Sequence, residues 1–425
     1  MKRFISSFRR SRCSHWCGQM LPFVLFLIIA QFVLVTAIDG EGDFHVPRHV
    51  LRIPNVSAVA IPALHADEWQ EPYKIVPIDF DNDGDTEQLV GFKKLIRVID
   101  FRANPPKILA RDYINPVDDQ TVYNQDSGDL DGDGFPDIVA ASGKDFVAVI
   151  LNDQGKGFRD RKDYFAGGET RGTKLADVDS DGNLDLLYTT QDDGYLNVRL
   201  GNGDGTFRES AMYDASPKPY SIAPKDIDLD GDIDVVIPNE STNSITLLFN
   251  RGDGTFEEKV QMETTGQRAN HVAIDDFNND TLPDLLVANW HNPNNHDLET
   301  QNKNSISLFF NIGSGMFGAP VALDGLRGSC WIKTADLDND GDADFVVSNW
   351  LSDATSVYLN DGNGRFDIQP YYTGAGNYGL LLSDFNGDGL KDILTTNIME
   401  ETFSLLLSGE DGVFDEHRKF YPAWQ

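Results

Sequence analysis

Seven short loops of the general form Asp-x-Asp/Asn-x-Asp-Gly-x-x-Asp begin at Asp79, Asp129, Asp177, Asp226, Asp276, Asp336 and Asp384. Their residue types and spacing suit a hard cation. Calcium takes six to eight oxygens at about 2.3–2.6 Å, from carboxylates, amide oxygens, carbonyls and water. In Asp129-Leu-Asp131-Gly-Asp133-Gly134-Phe135-Pro-Asp137, carboxylates at positions 1, 3, 5 and 9 and the carbonyl of position 7 can wrap one ion. Gly134 supplies the sharp turn, because glycine reaches positive φ without steric cost. The same template reads Asp79, Asp81, Asp83 and Glu87 in the first copy, and Asp177, Asp179, Asp181 and Asp185 in the third. Asp226, Asp228, Asp230 and Asp234 follow, then Asp336, Asp338, Asp340 and Asp344. The seventh copy, Asp384, Asn386, Asp388 and Asp392, places an amide at position 3. The fifth, Asp276, Asn278, Asp280 and Asp284, has Thr281 where glycine belongs and is expected to bind most weakly. Up to seven Ca2+ ions are expected; the competing reading is a set of Asp/Gly-rich surface turns without metal. An EF-hand is excluded. That loop needs a glutamate at position 12, where these copies carry Val90, Ala140, Tyr188, Ile237, Val287, Val347 and Thr395.

The elements that must position these loops are strands. Position 9 opens an apolar run in each copy, such as Asp137-Ile-Val-Ala-Ala or Asp234-Val-Val-Ile, short enough to read as a buried strand. The steps between loops are 50, 48, 49, 50, 60 and 48 residues, a self-similarity that marks a propeller or array. Each period holds four strands. Gly203-Asp-Gly205-Thr-Phe207, Gly252-Asp-Gly254-Thr-Phe256, Gly313-Ser-Gly315-Met-Phe317 and Gly362-Asn-Gly364-Arg-Phe366 predict a recurring hairpin between the third and fourth, with its phenylalanine between sheets. Residues 71–425 thus predict an all-β, seven-bladed β-propeller with a calcium loop in each blade. The long step carries an insertion from His291 to Asn304, and residues 38–70 form a lead segment expected to contribute a ring-closing strand.

The net charge of −33 follows from the loops; seven Ca2+ would bring it to about −19, still repelling nucleic acid. Folding and metal binding are therefore expected to be coupled. Residues 1–37 place Lys2, Arg3, Arg9, Arg10 and Arg12 before the apolar run Leu21 to Ala37, the pattern of a signal peptide or an uncleaved signal anchor. The expected location is secreted, periplasmic or cell surface, with membrane contact only through such an anchor. Only Cys330 lies beyond the leader, so no disulfide forms within one exported chain and the metal loops must do the stapling.

With Asp-Phe-Asn-Gly-Asp-Gly-Leu-Lys-Asp at 384–392, its six relatives and the Gly-Asp-Gly-Thr-Phe hairpins, the chain resembles the FG-GAP/VCBS repeat proteins, which include the propellers of integrin α subunits. The resemblance covers nearly everything after residue 70. It implies the propeller fold, calcium on one rim and ligands on the opposite face. Its members include adhesion receptors, lectins and calcium-containing polysaccharide lyases, so fold does not settle chemistry. The later integrin domains are missing here.

Six residues before each first Asp the register gives Tyr73, Tyr123, Arg171, Tyr220, Asn270, Cys330 and Tyr378. His271 and Trp331 sit beside them, and Trp290, His291 and Trp350 follow the second strands. Aromatic faces with polar neighbours suit a sugar or an extended peptide. The competing reading is structural capping of the inner strands, and for Arg171 a surface salt bridge. Arg251-Gly-Asp253 aligns with Asn202-Gly-Asp204 and reads as hairpin chemistry rather than an adhesion tripeptide. No catalytic pair can be named from the scattered histidines. The sequence thus predicts an adhesion or interaction module for protein or glycan. Its rival is a calcium-dependent lyase or hydrolase acting on acidic polysaccharide, with Arg171, His271, His291 and the tyrosines as its pocket.

Overall fold

The apolar runs after position 9 become strands buried along their whole length, among them Asp137–Ala141, Asp185–Thr190, Asp234–Asn239 and Asp344–Asn349. In the computed structural model the described residues are the strands Ala37–Ile38, Phe44–His45 and Asn55–Ile61, and residues 71–93, 95–113, 122–159, 161–290, 305–409 and 411–422. The basic and apolar leader up to residue 36, His291 and the 291–304 insertion lie outside them. Among the described residues no helix is long and apolar enough to cross a membrane.

Each buried run is the second strand of a four-stranded antiparallel meander. Blade one is Ile75–Ile78, Glu87–Gly91, Leu95–Asp100 and Lys107–Tyr113. Blades two to seven span 124–165, 170–214, 223–263, 269–323, 329–372 and 377–422. The first strands of neighbouring blades touch all the way round, including blade seven against blade one. The chain is a seven-bladed, all-β propeller.

Every blade is made of its own consecutive strands, so the ring closes by packing. Ile75, Val90 and Phe101 of blade one meet Leu381, Phe385 and Phe403 of blade seven. The Thr396 hydroxyl donates to the Tyr73 carbonyl across the same seam at 2.8 Å. Asn55–Ile61 lies elsewhere, as a parallel fifth strand outside Glu416–Pro422 of blade seven.

The described core falls into seven clusters, each shared by two adjacent blades. Burying one large apolar side chain contributes about 1.5–3 kcal/mol, so the seams rather than single sheets hold the ring. The hairpin phenylalanines supply part of this. Phe207 meets Tyr164 of the preceding blade edge-on at 5.6 Å, and Phe256 meets Tyr213 at 5.1 Å. Arg251-Gly-Asp253 is indeed hairpin: Asp253 accepts the Thr255 N–H at 3.0 Å, and the Arg251 guanidinium donates to the Phe256 carbonyl at 2.7 Å.

A second inter-blade device starts just before each hairpin. The Asn152 amide donates to the Phe80 carbonyl (2.8 Å), Asn250 to Val178 (2.7 Å), Asn311 to Ile227 (2.8 Å) and Asn360 to Phe277 (3.0 Å). Each acceptor is position 2 of the preceding blade's acidic loop. In blade three Gly201 replaces the asparagine, and the Gly205 N–H takes its place on the Leu130 carbonyl at 2.8 Å. These asparagines escaped the sequence reading. Their signal was the recurring Asn-x-x-Gly or Asn-x-Gly that opens the hairpins at 152, 250, 311 and 360.

Candidate functional site

On one face of the ring, the acidic loops share one backbone form. The position 6 N–H donates to the position 1 carboxylate in all seven, from 2.7 Å at Thr281 to 3.1 Å at Gly84. The position 7 N–H donates to position 5, at 2.9 Å from Asp85 and 3.0 Å from Phe135. Amides folded around an acidic side chain in this way hold the remaining carboxylates together. Five loops bring three carboxylate oxygens within 4.8 Å of one another: those of Asp79, Asp129, Asp177, Asp226 and Asp336. The other two carry Asn278 and Asn386 at position 3.

Position 9 has a second task. The Asp137 carboxylate accepts the Leu130 N–H (2.9 Å) and the Asn152 N–H (2.7 Å), and Asp185 accepts Val178 (2.8 Å) and Gly201 (2.7 Å). Asp234, Asp284, Asp344 and Asp392 repeat the pattern. Burial pushes these six carboxyls up to about 6 and Glu87 to about 7, against the pull of those amides.

The donor set fits a calcium ion. Asp179 Oδ1 and Asp338 Oδ1 are buried without a hydrogen-bond partner, a costly state for a carboxylate oxygen unless a cation meets it. Blade two differs, because the Arg159 guanidinium sits on Asp131 at 2.6 Å and also on Asp133. In blade three Arg208 stands further off, 3.8 Å from Asp179 and 3.6 Å from Asp181.

At the opposite face, the first strands of blades three to seven lose register at β-bulges beside the residues six before each first Asp, as between Thr170 and Thr173 or Asn377 and Leu380. A bulge re-aims the side chain, and the tyrosines of this face meet one another. Tyr73 meets Tyr123 edge-on at 5.9 Å and Tyr378 at 5.7 Å. The hydroxyls of Tyr220 and Tyr378, from blades four and seven, bond at 2.8 Å. Trp331 packs on His271 (4.3 Å) and Tyr378 (6.0 Å), and Trp350 on Tyr378 and Trp290 (5.8 Å each). The structure therefore brings Tyr73, Tyr123, Tyr220, His271, Trp290, Trp331, Trp350 and Tyr378 into one connected cluster. Asn270, Cys330 and Tyr378 are buried, whereas Trp290 and Trp350 keep part of their faces open. The Arg171 guanidinium stacks on Tyr123 at 3.7 Å, pairs with Glu169 at 2.7 Å and donates to Gln191 at 3.1 Å. Among the described residues no hydrogen bond joins His271 to Tyr220 or Arg171; the His271 ring accepts the Ile332 N–H at 3.4 Å.

Arg171 also borders a cavity of about 540 Å³ across blades three to five, lined further by Gln191, Lys218, Glu240, Ser241, Asn243, Gln267 and Arg268. Arg268 pairs with Glu240, while Lys218 lies 3.9 Å from Asp192. Of these residues Arg171 alone was expected from the sequence. Lys218 and Arg268 stand eight residues before their loops, two residues ahead of Tyr220 and Asn270.

A model of the FG-GAP-like repeat matches residues 129–188, 177–237, 226–287, 276–347 and 336–395. No curated protein matches the sequence. Among solved structures, the chain is similar to a lectin of Agrocybe aegerita that recognises non-reducing terminal N-acetylglucosamine, with 19% identity and a TM-score of 0.54. That match covers 82% of this chain and 90% of the lectin. It is also similar to BBS1N, solved in complex with ARL6DN, at 9% identity and a TM-score of 0.54 over 77% of this chain and 90% of that one.

Proposed function

The chain belongs to the FG-GAP-like repeat family, and on that premise we propose that it is an exported, calcium-binding propeller that acts as an interaction module, binding an acidic glycan on the face opposite its metal loops. The observation that carries this reading is the groove that gathers Arg171, Lys218 and Arg268, each beside a carboxylate (Glu169, Asp192 and Glu240) that an acidic ligand would displace. Guanidinium groups match carboxylates in shape and charge. Trp290, one hydrogen bond from the Arg268 carbonyl at 2.9 Å, offers with Trp350 the apolar platform a sugar ring stacks on. A lectin shares the fold, so a sugar ligand is not foreign to it. BBS1N, in its complex, shares it too, which keeps a protein ligand as the alternative for the same face. In the loops Asp, Glu and Asn side chains would hold Ca2+, whose charge would relieve the repulsion among the carboxylates.

The test is to incubate the full chain, with calcium, against acidic and neutral polysaccharides, scoring retention and chain length together. Retention of an acidic chain without shortening is expected, weakened about tenfold by Arg268→Gln. Retention of nothing would sink the glycan reading and direct the search to proteins. Shortening that is lost in His271→Ala would make the protein an enzyme, the lyase or hydrolase alternative.

A further inference from the structure

We propose that the central channel, beneath the tyrosine cluster, holds one small divalent oxyanion against Lys74, Lys174 and Lys333. Lys174 and Lys333 lie on the first, innermost strands of blades three and six, and Lys74 stands just before that of blade one. Three ammonium groups turned inward are out of keeping with a chain of net charge −33. Among the described residues one carboxylate answers them. Asp126 takes Lys174 at 3.0 Å and the Leu175 N–H at 3.0 Å, which occupies both its oxygens. Among the described residues Lys74 has uncharged partners alone: the Asn124 side chain, the Gln125 carbonyl at 2.9 Å and the face of Trp331 at 5.2 Å. Lys333 has neither hydrogen bond nor ion pair among the described residues.

A buried ammonium without a counter-charge is costly, and proteins meet that cost by deprotonation or by an anion. The lysines act on one another in this sense. Burial and then Lys174 hold Lys333 down at about 8, and burial with the same neighbour lowers Lys74 well below its ordinary range. His271 feels all three and is held neutral, so it adds no charge. A second, independent observation points the same way. The Trp331 indole N–H is buried (3% exposed) with no acceptor, beside Lys74. Indole donors in such places normally find one. An oxyanion would supply acceptors for that N–H and balance the surplus of two positive charges.

The test is equilibrium dialysis of the full, calcium-loaded chain against about 1 mM radiolabelled sulfate. One sulfate per chain is expected. Lys333→Gln should weaken retention about tenfold or more, while Arg268→Gln should leave it intact. No retention by the natural chain overturns the proposal, and because that arm needs no variant it stands even if Lys333→Gln fails to fold. Retention lost in Arg268→Gln but kept in Lys333→Gln places sulfate in the surface groove and overturns it equally. The outcome is separate from glycan binding, since a chain that retains no polysaccharide can still retain sulfate.

Discussion

Leu229 and Thr281 hold φ values of +63° and +71°, a region that a bulky or β-branched side chain rarely enters. Their places in the loops explain why. Position 4 is left-handed in all seven copies, elsewhere through Asn82, Gly132, Ser180, Asn279, Asn339 and Gly387, and position 6 is left-handed through glycine except at Thr281. Strain of about 1–2 kcal/mol per residue is partly offset by the chain entropy that glycine would cost. Thr281→Gly and the exposed Leu229→Asn should therefore each raise stability, by about 0.5–1 kcal/mol. Denaturant melts would show it, and a loss of stability in both would refute the strain argument. Position 9 predicts the opposite outcome. Asp185→Ala strands the buried Val178 and Gly201 amides and should cost about 2–5 kcal/mol with or without calcium. The same carboxyls set a pH dependence. Their folded-state values near 6 exceed the ordinary 3.8, so in metal-free protein their stability contribution is full below the ordinary value and is lost as pH rises through about 6. The lowered carboxyls of Asp126, Asp204, Asp214, Asp253, Asp384 and Glu400 push the other way only below the ordinary carboxylate range, and in the window itself the buried His271 and His417 oppose but are fewer than the raised carboxyls. With calcium present the charged form is favoured and the slope should flatten or reverse. A metal-free Tm that climbs between pH 4.5 and 6.5 would contradict this.

The hairpin is the element that ties one blade's seam to the preceding blade's acidic loop. Gly254 holds φ +75°, and a Cβ there would meet Leu200 at 2.9 Å and Asp179 of the preceding loop at 3.2 Å, so the backbone lies against that loop. Asn250 reinforces the join with bonds to Val178 and Ile233. Asn250→Ala should cost about 1–3 kcal/mol and should also weaken calcium binding by the blade-three loop, which it supports from outside. Calorimetric titration would reveal both; unchanged calcium affinity would sever the proposed link. This element also shows what could be read beforehand. The strand after each loop, the hairpin and its inter-sheet phenylalanine were legible, because local glycine and hydrophobic patterns encode them. The asparagine bridge was not, since its acceptor lies 72 residues away and polar residues before a turn have several local uses. The register placed the tyrosines in one ring, yet it could not say that Tyr220 and Tyr378, from blades four and seven, come close enough to bond. The groove of Lys218 and Arg268 was missed for a related reason: charges on connecting turns carry no periodic signature.

At the scale of the whole ring, stability and metal should be inseparable. Each loop sits at an inter-blade seam and each seam shares its blades with two others, so weakening one loop loosens its neighbours. Twenty-six carboxylates of the metal template crowd one rim of a chain with net charge −33, and without a cation they repel. A site at a hundred times its Kd adds about 2.7 kcal/mol. Several such sites, acting on one cooperative unit, should lower Tm by upward of about 10 °C when a chelator removes them. Sodium chloride should recover part of the loss by screening, and calcium all of it. Magnesium should do less, because it demands near-octahedral geometry and keeps its waters. Arg159 makes the response graded, since its guanidinium already neutralises Asp131 and Asp133 in blade two. Blades four to six have no such cation on their loop carboxylates among the described residues, so hydrogen exchange in chelator should open them before blade two. Scanning calorimetry in chelator, salt, magnesium and calcium separates the terms. A chelated protein that melts within a degree or two of the calcium form would mean that the loops are self-sufficient turns, and that the metal reading of this rim is wrong.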